Sequence, residues 1–315
     1  MNTVTVIIVN WNGGDLLRQC LNDLLQQTVQ PTRILVMDNG STDGSAEKVA
    51  GLLGVTVRML GENLGFAAGN NRAFAECDTE LVALLNPDAF PEQDWLEKLL
   101  AAARAHPDVA AFGSRQMVAG VEGVVDGLGD VYHVSGLVWR RGHGRSLTAP
   151  DLVSREIFSP CAGAALYRRE ALAEVGDFDE DFFCYVEDVD LGFRLRLAGY
   201  RSMYVPDAVV HHVGSATTGG QHSVFSVYHG HRNLVWAYLK NVPGWLFWAF
   251  LPLHLAMNLV ALVVFTLRGQ GGVMFRAKRD ALMGIPMMWR KRRHIQSKRA
   301  VSWRAILRVL EKGFG

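Results

Sequence analysis

The chain has 315 residues, 49% of them hydrophobic, with 32 Lys and Arg against 31 Asp and Glu and a formal charge of +1. That length suits one large domain, or one domain with an appendage, and the apolar content is ample for a core. Its four cysteines, Cys20, Cys77, Cys161 and Cys184, are widely spaced with no CxxC. A zinc site and a disulfide framework are therefore excluded, and a reducing compartment is expected.

The opening VTVIIVNW carries no basic n-region and no cleavage site, so no signal peptide is expected. Val4–Val9 reads as a strand, and Asp15 as the N-cap of a helix through Gln27. Arg33–Met37 reads as a second strand, ending at Asp38 before the loop 39–45. A helix over Ala46–Leu53 and a third strand over Val55–Leu60 follow. The Asn/Gly loop 62–71 then leads into a helix to Cys77. Leu81–Leu85 is a short apolar run stopped by Asn86-Pro87-Asp88, and Trp95–Ala105 is helical. Strands alternating with helices at this spacing mean βαβ units and a parallel sheet.

From Met117 the rhythm changes. The Gly-rich 118–149 reads as hairpins or a loop over the site. Phe158–Tyr167 reads as a strand whose small residues, Gly163 and Ala164 among them, admit either a ligand or a tightly packed helix. Acids crowd 181–198, and Val205–Val213 is a short strand carrying His211 and His212. Trp245–Leu267 is long enough to span a bilayer, but Pro252, His254 and Asn258 leave an interfacial pair or a buried helix open. Residues 268–315 hold thirteen Lys and Arg against Asp280 and Glu311. Aromatics at 236–248 and this basic tail suit anionic lipid rather than nucleic acid, for which no reading module is present.

Asp88 closes a buried strand at the sheet edge where α/β proteins bind ligands, and a lone hard carboxylate there suits Mg²⁺ or Mn²⁺ shared with a diphosphate. Turn chemistry is the competing account of Asn-Pro-Asp. Asp38 can accept from a pyrimidine or a ribose hydroxyl, or cap a helix. The glycines at 61, 65 and 69 have the wrong spacing for a dinucleotide fingerprint, and no phosphate-binding G-x-x-x-x-G-K is present. In Glu187-Asp188-Val189-Asp190, Glu187 and Asp190 share a helical face with Asp188 turned away. One of these carboxylates can serve a hydroxyl nucleophile as general base, or the acids can simply favour a helix N-terminus. His212 is the soft-nitrogen candidate, with the small stretch Gly214–Thr217 beside it.

VTVIIVNWNG, VMDNGSTDGS, ENLGFAAGNN, LLNPDAF, the run from Cys161 to Tyr200 and VVHHVGSAT together resemble a family 2 glycosyltransferase of the GT-A fold, nearest its bacterial rhamnosyltransferase-like branch. The resemblance covers about residues 3–240. It implies an α/β, Rossmann-like, mostly parallel central sheet with a C-terminal apolar and basic helical appendage. The expected parts are a nucleotide-sugar half over 1–110, an acceptor and catalytic half over 111–240, and a membrane-associating region over 241–315. The implied nucleotide site is Val9, Trp11, Asp38, Asn63, Gly65 and Asn86. Asp88 and His212 match the metal-binding residues, with His211 in reserve and Asn86 standing where the family's leading Asp would be. Asp188 matches the catalytic base, with Glu187 in reserve, and Gly163 and Ala164 fall to the acceptor. The implied partners are Mg²⁺ or Mn²⁺, a nucleotide-diphosphate sugar and a saccharide on a polyprenyl lipid at the inner membrane face. A polyprenyl-phosphate sugar synthase and a non-catalytic nucleotide-sugar scaffold are the rivals.

Overall fold

A computed structural model describes residues 3–214, 219–220 and 222–313. The first stretch alternates strand and helix: β1 (Val4–Asn10), α1 (Gly14–Leu25), β2 (Arg33–Asp38), α2 (Ser45–Val49), β3 (Val55–Met59), α3 (Gly65–Phe74) and β4 (Leu81–Leu85). Then come β5 (Ala89–Pro91), α4 (Trp95–Ala105), β6 (Val109–Val118), β7 (Val125–Gly127), β8 (Asp130–Tyr132), β9 (Val138–Arg140) and β10 (Arg155–Ile157). The sheet region closes with β11 (Ala164–Arg168), α5 (Arg169–Val175), α6 (Glu187–Leu197) and β12 (Arg201–His212). The tail is helical: α7 (Val224–Asn241), α8 (Gly244–Leu267), α9 (Gly271–Met283), α10 (Ile285–Ser297) and α11 (Trp303–Val309).

The main sheet runs β10-β12-β6-β11-β4-β1-β2-β3. β1, β2, β3 and β4 are parallel, β11 enters antiparallel between β4 and β6, and β12 is parallel to β6. β4 is central and buried on both faces because its alternate residues feed two cores. Leu81, Ala83 and Leu85 pack with α1 and α4, while Val82 and Leu84 pack with α3, α5 and α6. The result is a sheet between two helical layers.

Several boundaries differ from the sequence expectation. Gly13, not Asp15, is the N-cap of α1, and Asp15 lies in its first turn. α2 stops after five residues, short of the glycines at 51 and 54. α3 begins inside the expected loop, at Gly65, whose φ of +87° and close contact with Phe183 admit no side chain. The strand expected over 158–167 shrinks to β11, because Ser159 instead bridges to Asp130 and a turn occupies 161–163.

The tail packs on the sheet region through an apolar cluster. Leu246 and Phe247 of α8 pack with Tyr238 of α7, Phe193 of α6, Tyr132 of β8 and Ile306 of α11.

Candidate active site

Because β1, β2 and β4 are parallel and in register, their carboxyl ends share one edge. A cleft of about 400 Å³ opens there. One wall is made by Val9, Trp11, Asn39, Asn63, Gly65, Asn86, Asp88 and His212. The other is made by Asp130, Trp139, Arg140, Gly163, Glu187 and Asp188. Residues 88 and 188, a hundred positions apart, thus face the same cavity.

The strand pairing explains how His212 arrives beside Asp88. β5 runs antiparallel to the end of β12, with His212 opposite Ala89. The imidazole Nε2 lies 3.3 Å from Asp88 Oδ1, and Nδ1 lies 2.9 Å from Asp126 Oδ2. Arg140 Nη1 also donates to Asp126, at 2.7 Å. Burial pushes the Asp126 carboxyl up, but the bonds to His212 and Arg140 outweigh it and hold it below its ordinary value. The ionised Asp126 fixes the proton on Nδ1 and turns Nε2 toward Asp88. Burial opposes a proton on His212, yet the two carboxylates raise it to about 8. One carboxylate and one oriented imidazole fit a divalent cation that completes its shell elsewhere. Among the described residues no group of three or more His, Cys, Asp or Glu converges to hold such an ion alone. Water or a bound ligand would have to supply the remaining positions.

Glu187 and Asp130, both buried, and the half-buried Asp188 line the other wall. Burial raises Glu187 and Asp130 well above the ordinary range, and the charge of Asp188 raises both further. Burial raises Asp188 too, but the Ala162 N–H bond at 3.1 Å and the Arg140 charge counter it. Val189 N–H donates to its other oxygen at 2.8 Å. The two backbone donors and the Arg140 charge favour ionisation at Asp188 over Glu187 and Asp130, which burial and the Asp188 charge push toward the neutral form. Glu187 Oε2 has no hydrogen-bond partner among the described residues. Asp190, on the same helix, is consumed by Arg194, Lys240 and Asn241.

Two expected residues are not on the cleft wall. Asp38 is fully buried, accepting from the Asn10 amide at 2.9 Å and the Ser41 N–H at 3.0 Å, and its neighbour Asn39 lines the cleft instead. Ala164 sits in the sheet opposite Leu85, inside the core. Gly163 does line the cleft, but a side chain there would crowd the Asn86 amide at 3.1 Å, which favours the packing explanation of its small size. His211 alternates to the far side of β12, beside Glu92. Ser215–Thr217 lie outside the described residues.

Asp126, Asp130 and Trp139 were not singled out by sequence, and Arg140 stood out only within the basic cluster Arg140-Arg141-Gly142-His143 of the Gly-rich region, with no role assigned. Asp126 and Asp130 do stand in an apolar, Gly-rich setting, VVDGLGDVY. Acids between such short strands were the available signal.

The chain matches the model of the family described as Glycosyl transferase family 2 over residues 5–176. It is 31% identical over 247 residues to an N-acetylglucosaminyl-diphospho-decaprenol L-rhamnosyltransferase of Mycobacterium tuberculosis, covering 69% of this chain and 78% of that one. It is 32% identical over 211 residues to a pre-mycofactocin glycosyltransferase of the same organism, covering 66% and 42%. Among solved structures it resembles GalNAc-T7 with UDP, GalNAc and Mn²⁺ (TM-score 0.61, 17% identity, 76% of this chain and 48% of that chain). It also resembles the mannosyltransferase PcManGT of Pyrobaculum calidifontis with GDP-Man and Mn²⁺ (TM-score 0.56, 19% identity, 98% and 87%). These neighbours share the GT-A fold.

Proposed function

The chain belongs to glycosyl transferase family 2, and from that premise we propose an inverting transfer of a sugar, rhamnose or similar, from a dTDP- or UDP-sugar to a hydroxyl of a polyprenyl-diphosphate-linked saccharide. The observation that carries this reading is the shared cleft, with Asp88 and His212 on one side and Asp188 on the other. The rhamnosyltransferase relative, whose name prints a decaprenol-linked sugar, supports the lipid-borne acceptor. Work at the cytoplasmic face of the membrane, in cell-surface polysaccharide synthesis, follows from such an acceptor.

Residues 1–110 bind the donor, residues 111–240 supply the acceptor site and base, and residues 241–315 hold the enzyme to the membrane. Val9, Trp11, Asn39, Asn63 and Gly65 cradle the nucleotide, and Asn86 closes the floor. Asp38 acts from below, by bracing the loop after β2. Asp88 and His212 would hold Mg²⁺ or Mn²⁺, which when bound neutralises the departing diphosphate. Asp188 takes the acceptor hydroxyl proton as that oxygen bonds to the anomeric carbon and the carbon–diphosphate oxygen bond breaks. One base suffices for a single inverting displacement.

The test is nucleoside-diphosphate release across a panel of dTDP- and UDP-sugars, with polyprenyl-diphosphate N-acetylglucosamine as acceptor. Asp188→Asn is expected to lose about 10²–10⁴-fold in turnover while still binding donor in a thermal-shift assay. Retained turnover would remove Asp188 as base, as a polyprenyl-phosphate sugar synthase requires. Donor binding without turnover by the unaltered protein would favour the scaffold.

A further inference from the structure

We propose that α8 and α9 form a surface that lies in the plane of an anionic bilayer, and that α8 does not span it. This rests on the membrane-bound reading above and specifies its geometry.

The outward face of α8 is the wrong polarity for water. Trp245, Trp248, Leu255, Leu259, Val260, Val263 and Leu267 recur at helical spacing along one side, and each is 51–83% exposed. The positions between them on that face are Ala249, Pro252, Ala256 and Thr266. The polar residues of the helix turn inward instead. His254 Nδ1 lies 2.7 Å from the Ser135 carbonyl, and its ring stacks on Tyr238 at 4.0 Å. Asn258 donates to the His254 carbonyl and accepts from Lys278 of α9. A stripe this long and apolar is larger than a monomer in water usually exposes.

The same contacts argue against a span. Phe247, His254, Asn258 and Phe265 touch the body of the protein or its neighbouring helices at intervals of one to two turns, Phe265 through the His231 ring at 4.7 Å. Those contacts cover about 27 Å of a helix about 36 Å long. A spanning helix would have to leave the water-soluble domain along that whole length. Lying flat, it keeps every contact and buries only the outward stripe.

Charge identifies the occupant. Arg268, Arg276, Arg290 and Arg293 are exposed on and beside this hairpin, and Phe275, Leu282 and Met283 of α9 extend the apolar face. Each such cation near an anionic surface adds to binding. A second copy would set like against like, since thirteen Lys and Arg lie in 268–315 with two acids. The placement also serves the acceptor. Phe225, Gly230 and Leu234 of α7 line the cleft, while His231 between them holds Phe265 of α8, so the cleft adjoins the lipid-facing side.

The experiment floats the full-length protein with phosphatidylcholine vesicles, with and without phosphatidylglycerol. Co-flotation is expected with the anionic vesicles, weakened by high salt and released by alkaline carbonate. Trp248→Glu with Leu259→Glu should lower vesicle binding about tenfold or more. Transfer to a soluble short-chain acceptor by that variant should be unchanged, which also shows that it folds. Carbonate-resistant protein would establish a span and overturn the proposal. So would failure to bind anionic vesicles, or a dimer in light scattering that the double variant dissolves. Vesicle binding without transfer to any acceptor would overturn the enzymatic reading and leave this surface standing.

Discussion

Helices α6 and α8 break the usual relation between polarity and burial in opposite directions. α6, EDVDLGFRLRL, has five charged side chains in 11 residues, yet every residue but Asp188 is buried. α8 is the most apolar helix of the chain, yet few of its residues are buried. The charges of α6 are inside because other parts of the fold meet them. Asp190 binds Arg194 and Lys240, Arg194 donates to the carbonyls of Val175 and Asp177, and Arg196 pairs with Glu156. Glu187 and Asp188 face the cleft, where a substrate would complete them. α8 is outside because its polar atoms were spent inward. Polarity alone therefore predicts burial for neither helix; the partners of its polar atoms do.

Three changes probe that contrast, and the largest effect falls on the satisfied acid. Asp190→Ala leaves buried cations without their carboxylate and should cost about 3–5 kcal/mol. Urea unfolding would read it, and a loss near zero would show that Lys240 and Arg194 find other partners. Next is Asp126→Asn, which keeps shape but removes the charge that orients His212. Affinity for Mn²⁺ with nucleoside diphosphate should fall about 10–100-fold by calorimetry. Unchanged affinity would detach His212 from the cation. Smallest is Glu187→Gln. Burial and the Asp188 charge push this carboxyl toward its neutral form, which an amide resembles, so turnover should stay within about tenfold. A loss as deep as that of Asp188→Asn would move the base to Glu187. The acid limb of the rate profile sharpens this further. Asp188 works deprotonated and its pKa is raised, so kcat/KM should decline with falling pH above the usual carboxylate value of about 4.

Much of the first half was legible in sequence because its signals are local. Leu81–Leu85 and Trp95–Ala105 needed only an apolar run and its stop to be placed correctly. The cleft residues Asp88, Asp188 and His212 were legible through motif order. Asp38 was harder, because the β1–β2 register that sets Asn10 opposite it decides where its carboxylate goes. Asp126 and Arg140 stayed hidden for a related reason. Their roles depend on β7 pairing with β6 and on a side-chain bond to a histidine 86 positions on, and no short window contains either. The start of α3 was missed because a left-handed glycine reads as loop until Phe183 packs on it.

The Asp126 carboxylate, shared by His212 and Arg140, has a practical consequence for engineering. If the proposed division near residue 110 holds, recombining such enzymes there would carry both partners across together. Asp88 would stay behind with the recipient. The graft then succeeds or fails on whether the 3.3 Å gap between His212 and Asp88 is rebuilt across the seam.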